Sequence, residues 1–277
     1  MTAECDRPIL LTGASGTLGR LLVPLLASRY GSLLMTDIVE FPNALPPGVE
    51  FVRTDLSDGP TFLRLARRAG TIVHFAGIGT EQAFEAILAA NIVGATHVFE
   101  AARQTGARVV FASTNHTIGF YPRGQALTMA DPGRPDGFYG LSKLYGEMLG
   151  QLYFDKHGVE SVHLRIGSCL ARPTEPRHLS TWLSYGDLAR LVHAGVDAAH
   201  PGVAAVWGVS ANTRSWWHGG DAARIGYFPA DNAEDFADSV RAPVEDPVAA
   251  RYQGANFCAK GYTRPLEDLP RETGPSE

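Results

Sequence analysis

Over the first 165 residues or so, short apolar runs alternate with longer segments in which apolar residues recur at helical spacing. Apolar and polar residues hardly alternate within the short runs, which is typical of strands buried on both faces. Strands joined by helices predict a parallel sheet, and right-handed crossovers place helices on both of its faces. The pattern therefore predicts an α/β protein built on a doubly wound parallel sheet.

The predicted elements of this part follow one another in a regular order. The strands are predicted at 9–13, 32–37, 51–56, 71–77, 107–113 and 160–167, and the helices at 17–31, 61–70, 80–106 and 138–158. The third helical segment is long enough to be one helix or a broken one.

The pattern changes after Gly167, where proline-interrupted polar stretches and turn residues with aromatics predict a smaller cap. We expect one domain over 1–167 and a cap over most of 168–277. A helical pattern followed by an apolar run, at about 185–210, is expected to return to the main sheet. The tail from Pro265 is rich in Pro, Glu and Gly, so we expect it to be disordered or to lie over a neighbouring surface.

Composition excludes several classes of function. A net charge of −5 offers no basic field for nucleic acid or anionic lipid. The polar start of the chain does not resemble a signal peptide, and no apolar run approaches the roughly 20 residues of a membrane span. Cys5, Cys169 and Cys258 are scattered without a Cys-x-x-Cys pair, and the histidines form no His-Glu-x-x-His arrangement, so we expect reduced thiols, a cytoplasmic protein and no metal.

The turn between the first strand and the first helix carries a glycine pattern, "TGASGTLG", with Gly13, Gly16 and Gly19. Glycine there permits a tight turn and lets the backbone approach a pyrophosphate, which the N–H groups of the helix N-terminus would bind. The position between strand and helix makes this pattern far more specific than the glycines alone. The predicted cofactor site in this turn comprises Gly13, Ser15, Gly16, Thr17, Leu18 and Gly19.

Two acidic residues extend the dinucleotide interpretation. Asp37 ends the second predicted strand, where a carboxylate would accept hydrogen bonds from ribose hydroxyls and repel a 2′-phosphate, so NAD is preferred over NADP. Asp55 and Leu56 end the third, where an adenine ring is expected. A helix cap or turn role stays open for either aspartate.

Tyr139 and Lys143 begin a helix and lie on one face of it because they are four residues apart. A free tyrosine has a pKa of about 10, and a neighbouring ammonium favours the phenolate. The pair therefore predicts a tyrosine base assisted by a lysine. The alternative is one packed and one solvated residue at a helix start.

A run of five hydrogen-bonding side chains, from Ser113 to Thr117, lies at the end of the predicted fifth strand. In open parallel sheets, ligands bind beyond the carboxyl ends of the strands. We therefore expect this run to face the cofactor crevice, with one hydroxyl bound to the reacting oxygen.

These motifs together resemble the extended short-chain dehydrogenases/reductases, which have a Rossmann fold. "TGASGTLG", "VHFAG" and "YGLSK" match the family's glycine, fourth-strand and Tyr-x-x-x-Lys motifs over roughly residues 8–240. Further stretches along the chain are similar to bacterial uronate dehydrogenases: "FASTNHTIGFYP", "RPDGFYGLSK", "LRIGSC", "EPRHLSTWLS" and "AVWGVSANT".

The resemblance implies an activity: NAD-dependent oxidation of D-glucuronate or D-galacturonate at C1 to the aldarolactone. It implies that Thr114 binds the reacting oxygen, that Tyr139 takes the C1 hydroxyl proton, and that Lys143 holds the nicotinamide ribose. The remaining implied cofactor residues are Ala76, Gly77 and Asn91, and the implied substrate residues are Gly79, Thr114, Asn115, His116, Tyr139, Ser168 and Arg177.

Some of these assignments have alternatives in the sequence itself. Gly79 stands where the similar enzymes carry a serine, so one sugar contact would be missing or supplied by Thr80. Arg177 is equally consistent with a surface arginine, Ser168 with a loop hydrogen bond and Asn115 with a turn cap. His116 could serve as the base, but no orienting group for it is evident in the sequence.

The sequence also bears on two alternative functions and on self-association. A nucleotide-sugar epimerase or dehydratase would need a larger C-terminal domain than the about 110 residues after Gly167. A dinucleotide-sensing regulator without chemistry would not need Thr114, Tyr139 and Lys143 together. The expected partner is a small sugar acid, and the chain is expected to form a homo-oligomer.

Overall fold

The computed structural model describes residues 7–269. Within that range, the strands are β1 (Ile9–Thr12), β2 (Leu33–Thr36), β3 (Val49–Phe51), β4 (Thr71–His74), β5 (Arg108–Thr114), β6 (Ser161–Ile166), β7 (Ser168–Cys169), β8 (Trp182–Leu183) and β9 (Val203–Gly208). The α-helices are α1 (Thr17–Tyr30), α2 (Gly59–Ala66), α3 (Phe84–Ile87), α4 (Gly94–Thr105), α5 (Phe138–His157), α6 (His178–Thr181), α7 (Tyr185–Asp197), α8 (Ala222–Ile225) and α9 (Asn256–Ala259).

Seven strands form one sheet in the order β3-β2-β1-β4-β5-β6-β9, and all neighbouring pairs are parallel. One apolar cluster packs on the face that α1 and α7 cover, and a second packs beneath α2 and α4. The predicted doubly wound parallel sheet is therefore confirmed. Strand β9 pairs with β6 at the sheet edge after a segment of the cap, so the chain does return to the sheet.

Two predicted elements differ in detail from the structure. The third strand was predicted at 51–56, but regular pairing ends at Phe51. The Asp55 carboxylate accepts the Ser57 N–H at 2.8 Å, which turns the chain away from the sheet. The long helical segment is broken: a π-helical turn over Leu88–Val93 joins α3 to α4. Such turns are rare and often occur at functional sites.

The position of α5 depends on close packing against β5. A Cβ on Gly146 would overlap the Phe111 ring, so glycine lets the helix approach the sheet. One residue further along, Glu147 forms a buried ion pair with Arg165 on β6 (2.8 Å) and accepts a hydrogen bond from Ser113 (2.5 Å). Ser113 therefore points away from the crevice, contrary to the prediction, because side chains alternate along a strand.

The cap is built from short elements between β6 and residue 269. Its side chains, two groups of them together with residues between β5 and α5, form small apolar clusters around Trp217, Trp182 and Tyr252. No helix in the described range has the length and apolarity of a membrane span. Cys169 and Cys258 are free thiols, whereas Cys5 and the last residues of the predicted tail lie outside the described residues.

Candidate active site

The glycine turn between β1 and α1 is tightly packed against the end of β4. Gly13 has φ +75°, and a Cβ on it would lie 2.5 Å from Ala76 N, while a Cβ on Gly19 would overlap the Gly13 carbonyl oxygen. These two glycines are required by the protein itself. A Cβ on Gly16, by contrast, would meet only the Gly13 carbonyl oxygen at 3.3 Å.

The N-terminus of α1 has no side-chain cap, because Gly16 occupies the cap position. Its first N–H groups are therefore available to an external acceptor. Close by, the Asp37 carboxylate accepts the Ser15 N–H at 3.0 Å. This open, donor-rich turn beside a carboxylate fits the phosphate and ribose groups of a dinucleotide such as NAD, with Thr17 and Leu18 in its first helical turn.

Asp55 and Leu56 differ in their exposure to solvent. Asp55 is exposed, and one of its carboxylate oxygens accepts the Ser57 N–H in the turn that follows β3. Leu56 is buried, and a Cβ on Gly94 would lie 3.4 Å from its Cβ, so it packs against the start of α4. The turn role that the sequence left open for Asp55 is therefore present in the structure.

Asn91 on the π-helical turn connects two parts of the site. Its Oδ1 accepts the Ile78 N–H at 2.8 Å, and its Nδ2 donates to the Ile78 carbonyl at 3.0 Å and to Ser142 Oγ on α5 at 2.9 Å. Gly77 has φ +119°, and a Cβ there would lie 2.7 Å from Asn91 Oδ1. Asn91 thus holds the segment after β4 against the helix that carries Tyr139.

Tyr139 lies buried at the start of α5, beside Thr114 at the end of β5. Burial raises the pKa of Tyr139 to about 12, and the negative charge of Asp136 acts in the same direction. A side-chain hydrogen bond with Thr114 acts in the opposite direction and lowers that pKa. In the chain by itself the pKa of Tyr139 is raised, contrary to the lowering expected from Lys143, because burial has the largest effect.

Lys143 lies one turn further along α5 and is also buried. Its ammonium is 5.0 Å from the centre of the Phe111 ring and has no hydrogen-bond partner among residues 7–269. Burial lowers the pKa of Lys143 to about 8, so the ammonium is still mostly protonated at neutral pH. This unpartnered donor is suited to bind a polar ligand group.

Arg177, Ser168 and Asn115 form one hydrogen-bonded cluster beyond the ends of β5 and β6. Arg177 donates to Ser168 Oγ at 3.0 Å and, from Nε and one terminal nitrogen, to the Gln253 carbonyl at 2.9 and 2.7 Å. In the amide orientation that satisfies its neighbours, Asn115 donates to the Ile166 carbonyl at 3.1 Å and accepts from Arg177 at 3.2 Å.

The guanidinium of Arg177 has no ion-pair partner within residues 7–269. Burial lowers the pKa of Arg177 to about 10, and the nearby Arg123 acts in the same direction. The side chain remains charged at neutral pH, and a partly buried cation without a carboxylate is destabilising unless an anion compensates it. The cluster is therefore suited to bind an acid group.

His116 is close to Tyr139, with 5.8 Å between the ring centres. Its Nδ1 lies 2.6 Å from Oδ2 of Asp136, a carboxylate whose side chain is 0% exposed. The expectation that His116 lacks an orienting group is therefore wrong, because Asp136 orients it. Asp136 lies three residues before Tyr139 in "RPDGFYG", where its charge could have been considered.

Glu81 is a second residue that sequence reasoning missed. Its carboxylate accepts the N–H groups of Phe138 (2.9 Å) and Tyr139 (2.8 Å) and so caps α5 from the segment after β4. Lys260, near the end of the described chain, donates to the Glu81 carbonyl at 2.6 Å. Only the tertiary structure brings these three segments together.

Gly79 and Thr80 are exposed in the same segment. A Cβ on Gly79 would meet nothing within 4 Å, and Thr80 Oγ1 accepts a hydrogen bond from Gln82 at 3.2 Å. The structure therefore has room for a larger residue at 79. No group of three or more His, Cys, Asp or Glu side chains suited to a metal ion occurs in the described part of the chain.

The chain is similar in sequence to one protein family and to characterised enzymes within it. Residues 9–239 match the model of the NAD dependent epimerase/dehydratase family. Uronate dehydrogenase from Pseudomonas putida is 42% identical over 265 residues, which cover 94% of this chain and 99% of that protein.

Solved structures with similar sequences also share the fold. Glucuronic acid dehydrogenase from Chromohalobacter salexigens superposes with a TM-score of 0.88 at 39% identity, over 95% of this chain and 99% of that one. A variant of uronate dehydrogenase from Agrobacterium tumefaciens complexed with NAD gives a TM-score of 0.86 at 40% identity, over 94% and 98%. The chain belongs to the NAD-dependent epimerase/dehydratase family and groups there with the uronate dehydrogenases.

Proposed function

We propose that this protein is an NAD-dependent dehydrogenase that oxidises hexuronic acids, such as D-glucuronate and D-galacturonate, at C1 to the aldarolactone. The observation that carries the proposal is the partly buried Arg177 guanidinium, which has no carboxylate partner among the described residues. Asn115 connects it to the strand end at Thr114, beside Tyr139. An acid group on the cation would place a sugar within reach of the phenol.

The residues of the site have complementary tasks in this reaction. Thr114 and Tyr139 hydrogen-bond the C1 oxygen, and Tyr139 takes the proton of the C1 hydroxyl. When bound, NAD⁺ would supply the hydride acceptor for the hydrogen that leaves C1. Loss of the proton and the hydride converts the C1–O single bond to the lactone carbonyl.

The remaining residues bind and orient. Lys143 donates to a ribose hydroxyl of the cofactor and adds positive charge near the phenol. Ser168 and Arg177 bind the acid group, and Asn115 and His116 bind sugar hydroxyls. The dinucleotide side of the crevice is formed by the glycine turn, Asp37, Ala76, Gly77 and Asn91. Asp55 and Leu56 remain the predicted neighbours of the adenine, and Gly79 a predicted neighbour of the sugar.

The proposed activity is tested by incubating the purified protein with NAD⁺ and either D-glucuronate or D-galacturonate. We expect a rise in absorbance at 340 nm from NADH with at least one of the two acids. The neutral parent sugars, D-glucose and D-galactose, serve as controls and should react at least about tenfold more slowly, because they lack the group that compensates Arg177. Absence of NADH with both acids would contradict the proposal.

We expect Asp37→Ala to lower the preference for NAD⁺ over NADP⁺ by about tenfold or more, since the variant loses a carboxylate that repels a 2′-phosphate. The ratio of the two kcat/KM values measures this. Asp37→Asn separates the two roles of the side chain, because an amide oxygen still accepts the Ser15 N–H without the charge. A ratio unchanged in both variants would place cofactor selection elsewhere.

Self-association and a cytoplasmic location stay predictions. Several exposed apolar side chains on α5 support the first, since a surface stripe of this kind is typical of protein contacts. These side chains are Phe138, Leu141, Met148 and Leu152.

A further inference from the structure

The carboxylate of Asp136 lies in a cage that only glycine permits. A Cβ on Gly119 or on Gly254 would overlap Oδ2, and a Cβ on Gly140 would lie 3.2 Å from Oδ1. Gly254 N–H donates to the Gly119 carbonyl at 2.9 Å, which joins two walls of the cage. The carboxylate therefore has little freedom to move, although no catalytic task has so far been assigned to it.

Polar bonding inside the cage is incomplete. Oδ2 pairs with His116 Nδ1 at 2.6 Å, whereas Oδ1 is buried without a hydrogen-bond partner in the described range. Burial raises the pKa of Asp136 above its ordinary value, although the hydrogen bond with His116 acts in the opposite direction. An unpaired buried carboxylate oxygen is destabilising, which suggests a role other than stability.

The ring of His116 is held from two further sides. Phe257, from the C-terminal segment, stacks on one face with 3.7 Å between ring centres and 23° between planes. Tyr139 lies 5.8 Å away at 59°. The other ring nitrogen, Nε2, has no protein partner within residues 7–269, and the side chain is 14% exposed.

We propose that Asp136 is a positioning residue for the reaction: it keeps the His116 proton on Nδ1, so that Nε2 presents a lone pair to a hydroxyl of the bound sugar. An ionised carboxylate can only accept, so its partner nitrogen must carry the hydrogen. In a neutral imidazole the second nitrogen is then an acceptor. This proposal rests on the proposed function for the identity of the sugar, but the tautomer is a property of the protein alone.

The tautomer can therefore be measured without activity. In ¹H–¹⁵N spectra of the imidazole recorded at about pH 9, where an ordinary imidazole is neutral, the wild-type protein should carry the proton on Nδ1. Asp136→Asn should shift part of the population to Nε2–H, because the amide can donate to Nδ1. A wild-type proton on Nε2, or a ring that stays doubly protonated, would overturn the proposal whether or not the protein oxidises uronates.

A kinetic cycle tests the consequence for the reaction. We expect Asp136→Asn to lower kcat/KM for the uronate about ten- to hundredfold with little change in KM for NAD⁺. In a His116→Gln background the same substitution should cost less than about twofold, because Asp136 acts through the imidazole. Losses that multiply in the double variant, together with a matching fall in melting temperature, would show a purely structural role.

Asp131→Asn provides the matched control. Asp131 lies in the same loop, five residues earlier, and its carboxylate caps the turn at Thr128. The substitution removes the same charge from the chain but leaves the cage intact. We expect wild-type kinetics, and a loss equal to that of Asp136→Asn would contradict a specific role for Asp136.

Discussion

Replacing Tyr139 by phenylalanine is expected to lower kcat for uronate oxidation by about 10²–10⁴ while leaving the affinity for NAD⁺ nearly unchanged. The variant removes only the phenol oxygen, which is the atom proposed to take the C1 proton. The ring remains, and it contributes packing at the start of α5. A structural effect should therefore be small.

The dependence of the rate on pH gives an independent check. Burial raises the pKa of Tyr139, so the phenol is protonated in the chain by itself at neutral pH. A base acts in its deprotonated form, and the wild-type rate should therefore rise as the pH rises. The residual rate of Tyr139→Phe should lose this rise.

His116 is the competing base, since Asp136 orients it as a base–carboxylate pair would require. Comparing Tyr139→Phe with His116→Gln distinguishes the two. We expect the larger loss of kcat from Tyr139→Phe and mainly a rise in uronate KM from His116→Gln. An unchanged kcat in Tyr139→Phe, with a loss above about 10² in His116→Gln, would assign proton abstraction to the histidine.

Arg177→Ala is expected to reduce the preference for the acid over its neutral parent sugar by about ten- to hundredfold. Hydrogen bonds to a charged group contribute about 1.5–3 kcal/mol, and the acid is the only substrate of the two that forms them. The ratio of kcat/KM for D-glucuronate to that for D-glucose measures the effect.

In the structure, Arg177 already forms hydrogen bonds that limit how it can pair with the acid group of the substrate. Nε and one terminal nitrogen of Arg177 already donate to the Gln253 carbonyl, so a fully bidentate pairing with the acid would require those bonds to be exchanged. Arg177→Ala therefore also frees the Gln253 segment, and melting temperature must be compared. Arg172→Ala is the control, because Arg172 is exposed in the same loop. Equal losses on the acid and on the neutral sugar would contradict the role in selection.

Contacts within one element or between successive elements can be predicted from the sequence more readily than contacts between distant segments. The glycine turn is predictable because its pattern lies within one strand–turn–helix unit, although Gly13 also packs against the segment that follows β4, the neighbouring strand of the sheet. Tyr139 and Lys143 share a helix face through their spacing alone. Thr114 and Asn115 are predictable as well, since the carboxyl ends of parallel strands meet at one edge of the sheet.

Contacts between distant segments were not predictable in the same way. Ser113 resembles its four successors in sequence, but strand alternation and the buried pair of Glu147 with Arg165 direct it into the core. Periodicity predicts which residues share a face of a strand or helix. It does not predict which charged side chain of another segment packs against that face.

Taken alone, the sequence determined the fold class, the dinucleotide turn and the chemical types of the reacting groups, because these follow from short-range periodicity and from motifs within single elements. Only the tertiary structure decided that Asp136 orients His116 and that Glu81 caps the helix of Tyr139. It also decided that the Gln253 carbonyl accepts hydrogen bonds from Arg177, and that the Phe257 ring stacks on His116. The C-terminal segment reaches the site across more than 100 residues of intervening chain, as in the contact of His116 with Phe257. Such pairings depend on how the whole chain packs, and no local pattern specifies them.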